Sequence, residues 1–259
     1  MVDKILERIN DGLFHNLDSR PPYDRIHFER YPKIIHTTCR ETALEGDFCK
    51  TYKMSGEKFG FVVGDVPGHK NDPGVTMSSI YMKLVFDKVV NNNIDRPNAY
   101  NIMNDANKLI LNLPKLFPDG FYPTVFSVYD LNTRELEIVN AGHPSPIRVN
   151  VKLASTVGGR PQTALGLLKE KYQSTKIKLD IGDRYYVFTD GLHEAGASKS
   201  KEKIEWINKA EKELCKHLHN TRNMEIYQSL EEIVKKVKEE NRIDYFEDDV
   251  TIAAFAVLK

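Results

Sequence analysis

Aspartates stand at the edges of four short apolar runs in this chain, each beside a glycine or a second acid. Asp47 lies in Glu45-Gly46-Asp47-Phe48, and Asp65 closes Phe61-Val62-Val63-Gly64-Asp65. Asp190 follows Tyr185-Tyr186-Val187-Phe188-Thr189 and precedes Gly191, while the pair Asp248-Asp249 opens Val250-Thr251-Ile252. Apolar runs of this length bounded by turn-forming residues read as strands. A sheet that gathers such strand ends brings their carboxylates together. Converging carboxylates repel one another unless cations neutralise them, and hard oxygen donors favour Mg²⁺ or Mn²⁺ over zinc. The pattern points to a metal site assembled by the fold, and to hydrolysis as its chemistry.

The periodicity between these runs gives the fold class. Strands are expected at Lys33–Thr38, Asp47–Met54 and Lys58–Asp65, read as a meander over residues 33–66. Met77, Ile80 and Leu84 then fall at helical steps, with Asp72 before Pro73 as the N-cap. A second helix carries Ile102, Ala106, Leu109 and Leu113 between Pro97 and Pro114. Strands return at Pro123–Tyr129 and Glu135–Asn140, joined by the turn Asp130-Leu131-Asn132-Thr133, and again at Ile147–Val151, Lys176–Leu179 and Arg184–Thr189. Helices over 202–218 and 225–240 precede a last strand, Val250–Val257. Strands, a helix pair, strands, a second helix pair and a final strand make an α+β layered domain. The helix pairs are expected to cover the outer faces of a β-sandwich. Residues 1–32 form an amphipathic lead-in (Ile5, Ile9, Leu13, Phe14), read as a docked helix or a partner-binding arm, and residues 33–259 form the domain.

Composition excludes several function classes. Of 259 residues, 41% are hydrophobic and 29% charged, enough apolar material for one substantial core. Lys+Arg and Asp+Glu are 37 each, and a net charge of zero favours neither nucleic acid nor an acidic membrane surface as a partner. Cys39, Cys49 and Cys215 are odd in number and lack a metal-knuckle spacing, so a reducing cytoplasm is the expected compartment. No apolar stretch has the length of a membrane span, and no secretory h-region is visible in the first thirty residues.

Five segments in order resemble the SpoIIE-type serine/threonine phosphatases of the PPM (protein phosphatase 2C) superfamily. They are Gly46-Asp47-Phe48, Gly64-Asp65-Val66-Pro67-Gly68-His69, Val139-Asn140-Ala141-Gly142-His143-Pro144, Thr189-Asp190-Gly191-Leu192-His193-Glu194 and Asp248-Asp249-Val250-Thr251. Leu165-Gly166-Leu167 fits a further short motif. The resemblance implies a four-layer α-β-β-α fold, two antiparallel sheets flanked by pairs of helices, with two Mn²⁺ or Mg²⁺ ions at one end. Carried over by position, Asp65 would bridge both ions and the Val66 carbonyl would complete one shell. Asp190 and Asp248 would hold one ion, with Asp249 as the alternative within its pair, and Asp47 would reach it through water. The implied reaction is hydrolysis of phosphoserine or phosphothreonine by metal-activated water. Two cations lower the pKa of that water and stabilise charge on the phosphoryl oxygens.

Other residues keep two readings each. His69 and His143 stand in turns beside glycine and proline, where a histidine serves as a general acid, an orienter or a packed loop residue. Asp183 reads as a turn former, and Asn140 and Glu194 as structural partners. Lys70 stands where the family has glycine; it either pairs with a carboxylate and weakens one metal or draws the substrate phosphate. Arg40 is a second candidate for that phosphate. The resemblance further implies a phosphorylated regulatory protein as substrate, such as an anti-sigma-factor antagonist, with the enzyme a monomer or weak homodimer. A catalytically impaired module that binds a phosphoprotein is the alternative, and a two-metal nuclease would require a basic groove that a neutral chain does not advertise.

Overall fold

The computed structural model describes residues 46–68, 72–112, 120–195 and 203–259, with side chains from 205 in the last stretch, and residues 27–31 and 34–40 as backbone. In chain order the strands are β1 (His27–Tyr31), β2 (Ile34–Arg40), β3 (Phe48–Met54), β4 (Lys58–Gly64), β5 (Thr124–Asp130), β6 (Glu135–Ala141), β7 (Ile147–Val149), β8 (Ala154–Thr156), β9 (Thr175–Lys178), β10 (Arg184–Phe188) and β11 (Thr251–Val257). The helices are α1 (Pro73–Asn92), α2 (Ala99–Asn112), α3 (Asp190–His193), α4 (Lys203–Asn220) and α5 (Ile226–Asn241).

These strands make two antiparallel sheets, ordered β1-β2-β11-β10-β7-β8 and β3-β4-β5-β6-β9. The expected meander over residues 33–66 is therefore split. β2 pairs with β11 from the far end of the chain, whereas β3 and β4 pair with each other. Local turn chemistry predicts which neighbours form hairpins; it carries no information on which sheet an isolated strand joins. β1 pairs with β2 and lies at the edge of the six-stranded sheet.

Central strands here are buried on both faces, which is why they read as continuous apolar runs. Phe59, Phe61 and Val63 of β4 face the other sheet, meeting Tyr185, Val187, Ala253 and Phe255. Phe255 is the hub: its ring centroid lies 5.7 Å from Phe61, 5.2 Å from Tyr129 and 5.4 Å from Tyr185. The buried Tyr185 hydroxyl is satisfied by Ser127 Oγ at 2.9 Å. On the outer faces, Val62, Phe126 and Val139 pack under α1 and α2, and Tyr186, Phe188 and Ile252 pack under α4 and α5. The α-β-β-α layering is as expected.

Asp72 caps α1, its carboxylate accepting from Gly74 N at 2.8 Å. The expected stripe of α1 is corrected, however. Val75, Ser78, Ser79, Met82, Val85, Phe86, Val89 and Val90 are buried, while Leu84 is exposed. Apolar residues surround this helix, so periodicity fixes its existence but not its orientation. The two serines turn inward because their hydroxyls are satisfied within the helix, by Gly74 O at 2.8 Å and Thr76 O at 3.0 Å. In α5, Ile226, Leu230, Ile233, Val234 and Val237 recur at helical steps and are the buried stripe. No helix among the described residues is long and apolar enough to cross a membrane.

Candidate metal centre

The register of each sheet sets its acids at one end. Phe48 pairs with Gly64 at the start of β3 and the end of β4, so Asp47 and Asp65 leave that ladder side by side. In the other sheet Phe188 pairs with Ile252, which puts the exit of β10 beside the entry of β11 and Asp190 beside the Asp248-Asp249 pair. Asp190 opens the four-residue helix α3.

Two hydrogen bonds stitch these ends together across the sandwich. Gly46 N donates to Asp249 Oδ2 at 2.8 Å, and the buried Thr189 hydroxyl donates to Asp47 Oδ2 at 2.7 Å. Thr251 N donates in turn to Thr189 Oγ1 at 2.9 Å. Asp47 and Asp249 are both buried, whereas Asp65 and Asp190 are half-buried and Asp248 is exposed. The glycines are steric necessities. A Cβ on Gly191 would come 2.1 Å from the Asp249 carbonyl oxygen. One on Gly46 would come 2.8 Å from the Val66 carbonyl oxygen and 3.2 Å from Asp65 Oδ1, so both oxygens lie over the same bare backbone.

Electrostatics register the convergence. Burial, followed by the charges of Asp47, Asp190, Asp248 and Asp249, pushes the Asp65 carboxyl up from 3.8 to about 8. Burial, Asp248 and Glu194 push Asp190 up to about 6. Five carboxylates around one point, all of oxygen donors, are the chemistry of a hard divalent-cation site.

A family model described as Stage II sporulation protein E (SpoIIE) matches residues 55–258. The chain belongs to the SpoIIE family. Its two stacked antiparallel sheets flanked by helices are the fold of PP2C-type phosphatase domains. Solved structures show the same fold at low identity. The RsbU and RsbW domains of Rv1364c from Mycobacterium tuberculosis match with a TM-score of 0.71 and 18% identity, over 88% of this chain and 62% of that one. This chain thus spans less than two thirds of that structure. The PP2C phosphatase domain of SpoIIE from Bacillus subtilis, with a fragment of its regulatory domain, matches with a TM-score of 0.66 and 14% identity, over 97% and 74%. The catalytic domain of the serine threonine protein phosphatase PstP, in complex with two manganese ions, matches with a TM-score of 0.58 and 12% identity, over 88% and 99%. No curated protein matches by sequence.

For this SpoIIE member, the fold brings together Asp47, Asp65, Val66, Asp190, Asp248 and Asp249. His69 and Lys70 lie outside the described residues, as does the Arg40 side chain, although the Arg40 backbone pairs with Thr251 at the same end of the sheet. His143 is buried, with Nδ1 3.1 Å from the Pro144 carbonyl and its backbone N–H bonded to Asn140 Oδ1 at 2.9 Å. Burial lowers its pKa to about 4, which keeps it neutral near pH 7. Asp183 is buried and accepts from Arg148 Nε at 2.8 Å and from Asp180 N at 2.9 Å. Sequence reading missed the part played by Thr189. Its signal was a hydroxyl between the end of a buried strand and the motif's aspartate, where a buried hydroxyl needs a hydrogen-bond partner.

Proposed function

We propose that this chain hydrolyses phosphoserine or phosphothreonine on a regulatory protein at a dinuclear Mn²⁺ or Mg²⁺ centre. The observation that carries the reading is the convergence of four other carboxylates on Asp65, whose pKa rises to about 8 without a cation beside it. Asp65, the Val66 carbonyl, Asp190 and Asp248 would hold the ions, with Asp47 reaching one of them through water. When bound, the ions supply an acidified water and stabilise charge on the phosphoryl oxygens.

Within the acidic pair the roles divide. Asp248 is exposed and contributes to the raised pKa of both Asp190 and Asp65, the position of a ligand. Asp249 has one carboxylate oxygen committed to Gly46 N, which suits a residue that joins the two sheets beneath the ions. Thr189 holds Asp47 in the same way. His69, Lys70 and Arg40 are proposed at the rim, His69 as an acid toward the leaving oxygen and the two cationic residues toward the substrate phosphate. The likeness to a protein joining RsbU and RsbW domains supports an anti-sigma-factor antagonist-like phosphoprotein as the substrate.

The test is phosphate release from a phosphothreonine peptide and from p-nitrophenyl phosphate with Mn²⁺, Mg²⁺ or EDTA, beside Asp190→Asn. Metal-dependent release that the substitution abolishes is expected. No release with any metal, in a protein folded by circular dichroism, would replace the enzyme with a phosphoprotein-binding module and direct attention to Lys70.

A further inference from the structure

A cavity of about 350 Å³ lies behind the centre, between α3, α4 and α5. Its lining includes Leu192, His193, Trp206, Leu214 and Val237, and Glu213, His217 and Glu240 also border it. Glu213 and His217 stand one turn apart on α4, the i, i+4 spacing that puts two side chains on one face. Glu240 comes from α5, with a carboxylate oxygen 3.0 Å from His217 Nε2. Ligand atoms of the three residues all lie within 4.8 Å of one another. A second observation comes from the same cavity. His193, 4% exposed, contributes to its lining, and His193 Nε2 finds no hydrogen-bond partner among the described residues.

We propose that Glu213, His217 and Glu240 form a second metal site, one that takes Zn²⁺ or a similar transition-metal ion in preference to Mg²⁺. The donor set decides the class of ion. An imidazole nitrogen with two carboxylates suits zinc, whereas the aspartate cluster offers oxygen alone. Zinc–ligand bonds of about 2.0–2.2 Å require the three side chains to close inward. Both glutamates have room to do so, being 40% and 46% exposed at the side chain. The cavity leaves space for a water as fourth ligand. Lys216 Nζ competes for Glu213 at 3.2 Å, but this is a solvent-exposed pair on one helix and such pairs are weak. An ion here would pin α4 to α5 against the back of α3, the helix that begins with Asp190.

The site is tested on the full chain in excess Mg²⁺, by titrating Zn²⁺ against a chromophoric chelator and by melting. Wild type and Asp190→Asn are expected to retain one equivalent of Zn²⁺ and to melt higher with it. His217→Gln and Glu240→Gln, each with wild-type circular dichroism, are expected to bind at least about tenfold more weakly and to lose the shift. Glu240→Gln, a change at an exposed side chain, keeps the test open should His217→Gln not fold. Zn²⁺ lost in Asp190→Asn and kept in His217→Gln would assign the ion to the aspartate cluster and overturn the proposal. Failure of wild type to retain Zn²⁺ in Mg²⁺ would overturn it as well.

Discussion

At Asp248 and Asp249, neighbouring residues of one type have different surroundings, and substitution should separate them. Asp249→Ala leaves the buried Gly46 N–H without its acceptor and should cost about 1–3 kcal/mol of stability, read by urea unfolding. Asp248→Asn removes an exposed charge that repels Asp65 and Asp190. It should leave melting in EDTA unchanged or raise it, and weaken Mn²⁺ binding measured by calorimetry. The opposite pattern would exchange the two roles. Gly191→Ala forces a methyl to within 2.1 Å of a backbone carbonyl oxygen, which cannot swing away as a side chain would. Overpacking of this kind costs about 1–3 kcal/mol, and activity should fall with it because the displaced strand end carries the Asp248-Asp249 pair.

The strands matter to the site as rigid arms. β10 and β11 deliver Asp190 and the Asp248-Asp249 pair, and both are locked to the facing sheet through Phe255 and Tyr185. Truncating Phe255 to alanine should cost about 3–5 kcal/mol, since its fully buried ring fills the middle of the sandwich. Loss of that much stability should appear as a lower urea midpoint. The helices contribute differently. α5 shows its buried stripe openly, whereas α1 hides its own behind two inward serines, so a stripe of large apolar residues named a helix correctly and its face wrongly.

For the whole molecule, the acidic cluster makes stability depend on pH and on metal. Asp65 rises from 3.8 to about 8 and Asp190 to about 6 in the folded state, so the native protein binds more protons than the unfolded chain between these limits. Stability of the metal-free protein is therefore greatest near pH 4 as far as these groups are concerned, and falls as pH rises toward 8. Melting in EDTA should show that decline above pH 7, where the buried His143 and His193, each lowered to about 4, no longer offset it, and Mn²⁺ at pH 8 should reverse it by neutralising the carboxylates. A melting temperature in EDTA that climbs from pH 7 to pH 8 would contradict the convergence of charge on Asp65.

Strand runs, helix pairs and motif order were written in the amino-acid sequence, because burial on one or both faces leaves a pattern along the chain. The aspartates were visible there too, as acids at strand ends beside glycine. Their meeting was not, since Asp47 and Asp249 are brought together only when two sheets stack and Gly46 N reaches across. The same holds for β2, which leaves its neighbours for β11, and for the division of labour within the Asp248-Asp249 pair. Periodicity reports what each segment buries. Which segments share a sheet, and which of two adjacent carboxylates turns inward, depends on contacts between residues distant in the chain, and those exist only in the folded molecule.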